Sequence, residues 1–70
     1  MIREPVISSN LSAVGYDIDK RTLEVEFKGG SVYQYYGVPE SVYLGLISAS
    51  SVGSYLNMCV KNIYQYRQVK

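Results

Sequence analysis

Two alternating segments on either side of Gly29 and Gly30 restrict the possible folds of this chain more than any other feature. In Leu23–Phe27 the apolar residues alternate with glutamates, and Val32–Tyr35 follows the glycines after a single residue. An alternation with a period of two is typical of a β-strand with one buried face. Paired glycines between such strands suit a tight turn because glycine tolerates a positive φ. The sequence therefore predicts a β-hairpin.

The length of the hairpin loop decides which side chains of the second strand face the core. A two-residue loop would place Tyr33 and Tyr35 on the charged, outer face. A three-residue loop, with its last glycine in the left-handed region, would pair Val25 with Tyr33 and Leu23 with Tyr35 on the inner face. We favour the longer loop because it leaves Gln34 in water. The shorter loop would bury that amide, at a cost of about 1–3 kcal/mol if it stays unpaired.

A further strand precedes the hairpin, after an irregular N-terminus. Apolar and polar or small residues alternate over Val14–Ile18, which is typical of a half-buried strand. The first ten residues show no such period, and Pro5 disfavours both a helix and a central strand. We therefore predict a flexible N-terminal tail over residues 1–8 and a single folded domain over residues 9–70.

Two short helices are expected after the hairpin. Pro39 suits the first position of a helix and Glu40 its positive end, and apolar residues recur at helical spacing until about Ala49. Ser51 is a good N-cap for a second helix. That helix has a continuous apolar stripe, which consists of Val52, Tyr55, Leu56, Cys59 and Ile63. The thiol on this stripe is predicted to be buried and inert. Three small residues are expected to let the two helices approach each other or the sheet closely, namely Gly45, Ala49 and Gly53.

These elements predict an α+β fold. Its small antiparallel sheet consists of a three-strand meander and a short C-terminal strand, and its two helices lie on one face. The C-terminal strand is predicted from the alternation over residues 63–69. The predicted core combines the inward positions of all these elements: Val14, Tyr16, Ile18, Leu23, Val25, Phe27, Tyr33, Tyr35, Val42, Leu46, Ile47, Leu56 and Cys59.

The composition restricts the chemistry that the chain can perform. It has no histidine, one cysteine and a formal net charge of +1 over 70 residues. Histidine is the commonest general acid or base, and zinc cages are built mainly from histidine and cysteine. We therefore expect no enzymatic activity, no metal and no cofactor. A single thiol fits a reducing compartment, and no segment is apolar over a membrane-spanning length. We therefore expect a cytoplasmic protein without a membrane partner.

Several short motifs follow one another in a characteristic order and spacing: Leu23–Phe27 before the glycine turn, Tyr33-x-Tyr35, Gly37-Val38-Pro39, Val42-Tyr43, Ser51-x-Gly53-x-Tyr55-x-Asn57 and Tyr64-x-Tyr66. Together they resemble the KTSC domain, a module named after the C-terminus of some lysyl-tRNA synthetases. The resemblance covers about Ser9 to Val69. The resemblance implies a small α+β domain, found also as a free-standing bacterial or phage protein, and a role in RNA binding.

The C-terminal segment is where we expect RNA to bind. Residues 41–70 contain three basic side chains and no acidic one. Tyrosines beside cations can stack unpaired bases while the cations hold phosphates. The candidate nucleic-acid-binding residues are therefore Lys61, Tyr64, Tyr66, Arg67 and Lys70, and Asn57 is a candidate ligand contact. The expected partner is single-stranded RNA or tRNA.

The same tyrosines allow two other interpretations. Small sheets bury tyrosine rings while their hydroxyls stay in water, and tyrosine is also enriched at protein interfaces. A chain of this length leaves roughly 40% of its extended-chain surface exposed, which self-association would partly cover. A protein-interaction or homodimerisation module is therefore the alternative function.

Overall fold

The structure, a computed structural model, describes residues 1–70 and consists of a five-stranded sheet and two helices. The strands are β1 (Arg3–Pro5), β2 (Leu11–Asp17), β3 (Thr22–Phe27), β4 (Val32–Tyr35) and β5 (Tyr66–Gln68). The helices are α1 (Glu40–Ser48) and α2 (Val52–Cys59), both between β4 and β5. The strands are antiparallel and lie in sequence order, so β1 and β5 are the two edges. The predicted α+β class is confirmed. The longer helix has only nine residues, and neither could cross a bilayer.

The β3–β4 hairpin has the three-residue loop that the sequence favours. Phe27 N–H donates to the Ser31 carbonyl at 2.9 Å, and Gly30 has a φ of 96°. Leu23 pairs with Tyr35, and the next inward pair is Val25 and Tyr33. The predicted register is therefore confirmed. Tyr35 is buried, with 3% of its surface exposed.

The outer face of this hairpin is held by polar contacts. Glu24 lies opposite Gln34, whose amide donates to the Glu24 carboxylate at 2.9 Å. The other Glu24 oxygen accepts from Arg3 at 2.9 Å. Gln34 in turn accepts a hydrogen bond from the Tyr36 hydroxyl at 3.1 Å. Both oxygens of the nearly buried Glu24 are thereby paired, which avoids the cost of an unpaired buried charge.

Strand β1 lies inside the segment that the sequence analysis assigns to a tail, so the sheet has five strands rather than four. Arg3 pairs with Gly15 across the β1–β2 ladder, and Pro5 sits at the end of this edge strand, where proline is tolerated. A Cβ atom at Gly15 would lie 2.7 Å from the Ile2 carbonyl oxygen. A glycine in β2 therefore allows the N-terminal segment to lie close against the sheet.

The two helices begin and end close to the predicted positions. Pro39 has extended backbone and is the N-cap of α1, not its first helical residue. Ser51 caps α2 as predicted, since its side chain accepts from Ser54 N–H at 3.3 Å. The Tyr55 ring lies against Gly45, where a Cβ atom would be 2.7 Å from Tyr55 Cζ. The small residue at position 45 therefore sets the spacing between α1 and α2.

The core lies between the sheet and the helices and differs in part from the predicted one. Its fully packed members are Leu11, Val14, Leu23, Val25, Tyr35, Val38, Leu46, Val52, Leu56 and Val60. Tyr16, Phe27, Tyr33 and Val42 are partly buried against it. The prediction missed four of the core residues, namely Leu11, Val38, Val52 and Val60.

Three residues of the predicted core lie outside the core cluster, namely Ile18, Ile47 and Cys59, and the predicted α2 stripe does not extend to Ile63. Ile18 is 58% exposed because β2 ends at Asp17 and the chain turns there. Ile47 is exposed on α1. The helix α2 ends at Cys59, so the stripe stops short of Ile63, which is 60% exposed. The Cys59 thiol is half-buried and outside the core cluster, which corrects the prediction of a buried thiol.

Candidate functional site: an aromatic pocket beside the sheet edge

A pocket of about 420 Å³ opens between the β4–β5 edge of the sheet and the end of α2. It is lined by seven residues, which define the aromatic pocket: Phe27, Ser31, Tyr33, Tyr35, Lys61, Asn62 and Tyr66. Its volume lies within the range of about 300–1,000 Å³ that is usual for small-ligand sites.

Strand register brings three of the rings onto one face. Tyr35 pairs with Tyr66 across β4 and β5, and Tyr33 lies two residues before Tyr35 on β4. Since side chains alternate along a strand, all three rings point to the helix side of the sheet. The ring centroid of Tyr66 is 5.7 Å from that of Tyr33 and 5.7 Å from that of Tyr35. The rings therefore form one continuous aromatic surface.

Phe27 on β3 and the residues after α2 complete the lining of the pocket. The ring of Phe27 meets Tyr33 edge-on, with centroids 5.5 Å apart and planes at 83°. Lys61 Nζ lies 5.4 Å from the centroid of Phe27, within cation–π range. Asn62 follows with a φ of 68°, a left-handed conformation that asparagine adopts more readily than most residues. This turn directs the chain from α2 back to the sheet and brings residues 61 and 62 to the pocket.

The pocket has polar groups but only one charged side chain, that of Lys61. The Tyr33 hydroxyl donates to Gln68 Oε1 at 3.1 Å. Burial raises the pKa of Tyr35 above its ordinary value of 10.0, and the neighbouring Tyr33 and Tyr66 raise it further. Tyr35 is therefore neutral at physiological pH. The arrangement can stack a planar group, donate hydrogen bonds and attract an anion.

The structure brings two of the predicted binding residues together, Lys61 and Tyr66. Tyr66 is 61% exposed and its ring lies at the mouth of the pocket. Tyr64 was expected to share a strand face with it, and that expectation is wrong. Strand β5 begins only at Tyr66, and Tyr64 packs partly buried against the core.

The other predicted binding residues lie elsewhere. Arg67 pairs with Gln34, so its side chain belongs to the outer face of the sheet, opposite Tyr66. Lys70 is exposed at the end of the chain, where its carbonyl accepts from Val32 N–H at 3.0 Å. Asn57 is exposed on α2, outside the aromatic pocket. The basic cluster predicted from the C-terminal sequence is therefore divided between two faces.

Five pocket residues were missed as site residues by the sequence analysis, namely Phe27, Ser31, Tyr33, Tyr35 and Asn62. Phe27 was assigned to the core, and it does pack partly against it. Ser31 follows the glycine turn and carries no signal of its own. For Asn62 a signal exists, because an asparagine after a helix is a common left-handed residue. Tyr33 and Tyr35 serve both the core and the pocket.

Comparisons with known proteins place this chain among small domains of the same kind. The family model for the KTSC domain matches residues 7–64. A protein of Tsukamurella paurometabola is 43% identical over 58 residues, which are 83% of this chain and 87% of that protein. An uncharacterised protein of Stutzerimonas stutzeri is 39% identical over 70 residues, which cover 99% of each chain.

Two further similarities concern a longer protein and a solved structure. A lysine–tRNA ligase of Nostoc punctiforme is 36% identical over 61 residues, which are 87% of this chain but only 11% of the ligase. The crystal structure of a KTSC domain protein from Yersinia pestis matches with a TM-score of 0.93 and 38% identity, covering 99% of this chain and 97% of that chain. The family match and these relatives show that this chain belongs to the KTSC domain family.

Proposed function

We propose that this protein is a small, non-enzymatic RNA-binding module that acts in the cytoplasm. The observation that carries the proposal is the exposed Tyr66 ring, which extends the aromatic surface of Tyr33 and Tyr35 beside Lys61. Stacking of an unpaired base on an aromatic side chain contributes about 1–3 kcal/mol of binding free energy. A nearby cation favours the phosphate of the same nucleotide.

The similarity to lysine–tRNA ligases supports RNA as the ligand class. Enzymes with that name act on an RNA, and they contain a segment 36% identical to this chain over 61 residues. This segment is only 11% of the ligase, so we carry over binding and not the ligation reaction. Single-stranded RNA and the unpaired loops of tRNA both present bases that can stack.

The distribution of charge indicates weak binding. Arg67 faces away from the pocket, whereas Lys28 lines a neighbouring depression together with Phe27 and Lys61. At most Lys28, Lys61 and Lys70 can therefore contact the phosphates of one bound strand. Each contact contributes about −0.7 to the slope of log affinity against log salt for single strands, so we expect a slope no steeper than about −2.1.

The test is a titration of a fluorescently labelled, unstructured RNA with the protein at low and moderate salt. Tyr66→Ala should weaken binding about 5- to 100-fold, which corresponds to the loss of one stacked base. Tyr36→Ala is the matched control, because Tyr36 is also exposed but hydrogen-bonded to Gln34 on the outer face. It should leave the affinity unchanged. An absence of binding at low salt would remove RNA as the ligand.

The alternative function, a protein-interaction or homodimerisation module, is favoured by a different surface. Ile7 and Ile47 are exposed and line an apolar depression between the N-terminal segment and α1. Leu44 on the same helix is also exposed. This surface lies near the β1 edge of the sheet, whereas the aromatic pocket lies at the β5 edge. Substitutions can therefore test the two functions separately.

A further inference from the structure

We propose that the aromatic pocket holds a single unpaired nucleotide, with the base on the open face of Tyr66 and the phosphate beside Lys61 Nζ. This inference rests on the proposed RNA-binding function and specifies its site. It assigns one base and one phosphate to the pocket, whereas a groove for an extended strand would hold several.

The ring spacing excludes insertion of a base between the tyrosines. The centroid of Tyr66 is 5.7 Å from those of both Tyr33 and Tyr35. A base between two rings would need two stacking separations, together about 7–8 Å. A base must therefore stack on a ring surface that is already open. Tyr66 is 61% exposed and Tyr35 only 3% exposed, so Tyr66 offers that surface.

The charge of the lining selects an anion. Lys61 is the one charged residue among the seven, and no aspartate or glutamate lines the pocket. Its ammonium lies 5.4 Å from the Phe27 ring centroid, and both residues line the pocket together with the tyrosines. The cation–π contact favours this position without using the capacity of the ammonium to donate hydrogen bonds. A planar group on Tyr66 and an anion at Lys61 together describe a nucleotide.

Neutral donors and acceptors complete the site. The Ser31 hydroxyl, the Asn62 amide and the Tyr35 hydroxyl belong to lining residues. Such groups can bond the edges of a base or the ribose hydroxyls. The Tyr35 hydroxyl is a donor at physiological pH, as any tyrosine hydroxyl is, and burial raises its pKa further.

The surroundings of the pocket argue for one nucleotide. Arg67, the next residue after Tyr66, is on the opposite face of the sheet. Tyr64 is partly buried against the core, so its open ring surface is smaller than that of Tyr66, with which it lines a shallow depression. A strand leaving the pocket therefore meets no second ring as open as Tyr66 and no continuous row of cations at this end of β5.

The experiment is an NMR titration of the isotope-labelled full chain with uridine and adenosine monophosphates. We expect shift changes at the lining residues and contacts between base protons and the Tyr66 ring. Ribose 5-phosphate, which lacks the base, should bind at least about fivefold more weakly, the lower bound for losing one stacked base. Uridine should also bind more weakly, because it lacks the phosphate that would contact the Lys61 ammonium. Free phosphotyrosine provides a planar group and a phosphate but neither the polar edge of a base nor ribose hydroxyls, and should bind more weakly than the monophosphates.

Two variants, each with a control variant, test which residue binds the phosphate and which binds the base. Lys61→Gln should abolish the preference for the monophosphate over uridine, and Arg67→Gln, on the opposite face, should preserve it. Tyr66→Ala should abolish the preference for the monophosphate over ribose 5-phosphate. Tyr66→Phe should preserve it, because it retains the ring. The dispersion of the amide spectrum reports whether each variant is folded.

The outcomes separate this inference from the RNA-binding function. The single-nucleotide site is wrong, and RNA binding stands, if labelled RNA binds but the monophosphates change NMR shifts only at residues outside the pocket. The same conclusion follows if RNA binds but Lys61→Gln retains the preference for the monophosphate over uridine. If phosphotyrosine binds as tightly as the monophosphates, the assignment to a nucleotide is wrong. If neither RNA nor a monophosphate binds, both proposals are wrong. If the monophosphates and the variants behave as expected but labelled RNA does not bind, the single-nucleotide site is supported and the RNA-binding function is wrong.

Discussion

At the scale of the residue, one amino-acid type performs several different tasks in this chain, which contains eight tyrosines. Tyr16 on β2 stacks on Tyr43 of α1 with centroids 5.1 Å apart, and this contact joins the sheet to the helix. The Tyr16 hydroxyl also donates to the Val38 carbonyl, just before α1. Tyr35 is buried, whereas Tyr66, directly opposite on the neighbouring strand, is largely exposed. Tertiary surroundings, and not residue type, therefore decide the role of each ring.

The burial of Tyr35 leads to a prediction about pH dependence. Its pKa in the folded protein is raised above 10.0, the ordinary value, so folding favours the neutral hydroxyl. The contribution to stability is therefore fully present below pH 10.0 and is lost as the pH rises through the folded pKa. Urea unfolding at a series of alkaline pH values should show this fall in the free energy of unfolding.

The control for this prediction is a pair of phenylalanine variants. Tyr35→Phe should show a shallower alkaline fall than the unmodified chain, because the ionising group is absent. Tyr36→Phe should retain the full fall, since Tyr36 is exposed. If the free energy of unfolding falls equally with alkaline pH in Tyr35→Phe and the unmodified chain, burial of this hydroxyl does not cause the pH dependence of stability.

At the scale of the element, the packing of α1 on α2 depends on one position without a side chain. Gly45 faces the Tyr55 ring, and a Cβ atom there would lie 2.7 Å from Tyr55 Cζ and 3.1 Å from Tyr55 Cε2. Gly53 on α2 has far more room, since a Cβ atom there would meet only Ser8 Oγ, at 3.7 Å. Two helical glycines in one small domain therefore have opposite packing environments.

We expect alanine at these two positions to change stability in opposite directions. Alanine favours a helix over glycine by about 1 kcal/mol, so Gly53→Ala should raise the free energy of unfolding by about 0.5–1 kcal/mol. Gly45→Ala gains the same propensity but displaces the Tyr55 ring, and overpacking costs about 1–3 kcal/mol. Its net effect should be a loss of up to about 2 kcal/mol in urea unfolding. A stabilised Gly45→Ala variant would show that the ring moves without cost.

At the scale of the whole molecule, the small core and the two open sheet edges decide how the domain can associate. Ten residues form the fully buried cluster, and the Cα radius of gyration is 10.6 Å. Strands β1 and β5, of three residues each, are the edges of the sheet. Edge strands this short offer few backbone groups for pairing with another chain. The short edge strands therefore favour a monomer.

This expectation is tested by the dependence of thermal unfolding on protein concentration. A monomer unfolds at a midpoint that does not change with concentration, whereas a dimer becomes more stable as concentration rises. We expect an unchanged midpoint across a hundredfold range of concentration. A rising midpoint would favour the homodimerisation alternative, and Ile47→Lys in the apolar depression should then abolish the rise.

Features with a local physical cause were predictable from the sequence. The β3–β4 register follows from the loop length and from the cost of burying Gln34, and the structure confirms it. The start of α2 follows from the Ser51 cap, and the structure confirms this prediction as well. Each depends on residues a few positions apart, so a local pattern is sufficient to predict it.

Features that depend on distant segments were decided only by the tertiary structure. Strand β1 has a proline and no alternation, and its place depends on Gly15, twelve residues after Arg3. The aromatic pocket joins residues from β3, β4, β5 and the turn after α2, and the early end of α2 determines that Lys61 reaches it. Tyr64 and Tyr66 do not share a strand face, because β5 begins only at Tyr66. The sequence by itself thus determined the strands, turns and caps, and tertiary packing decided which rings and charges share a surface.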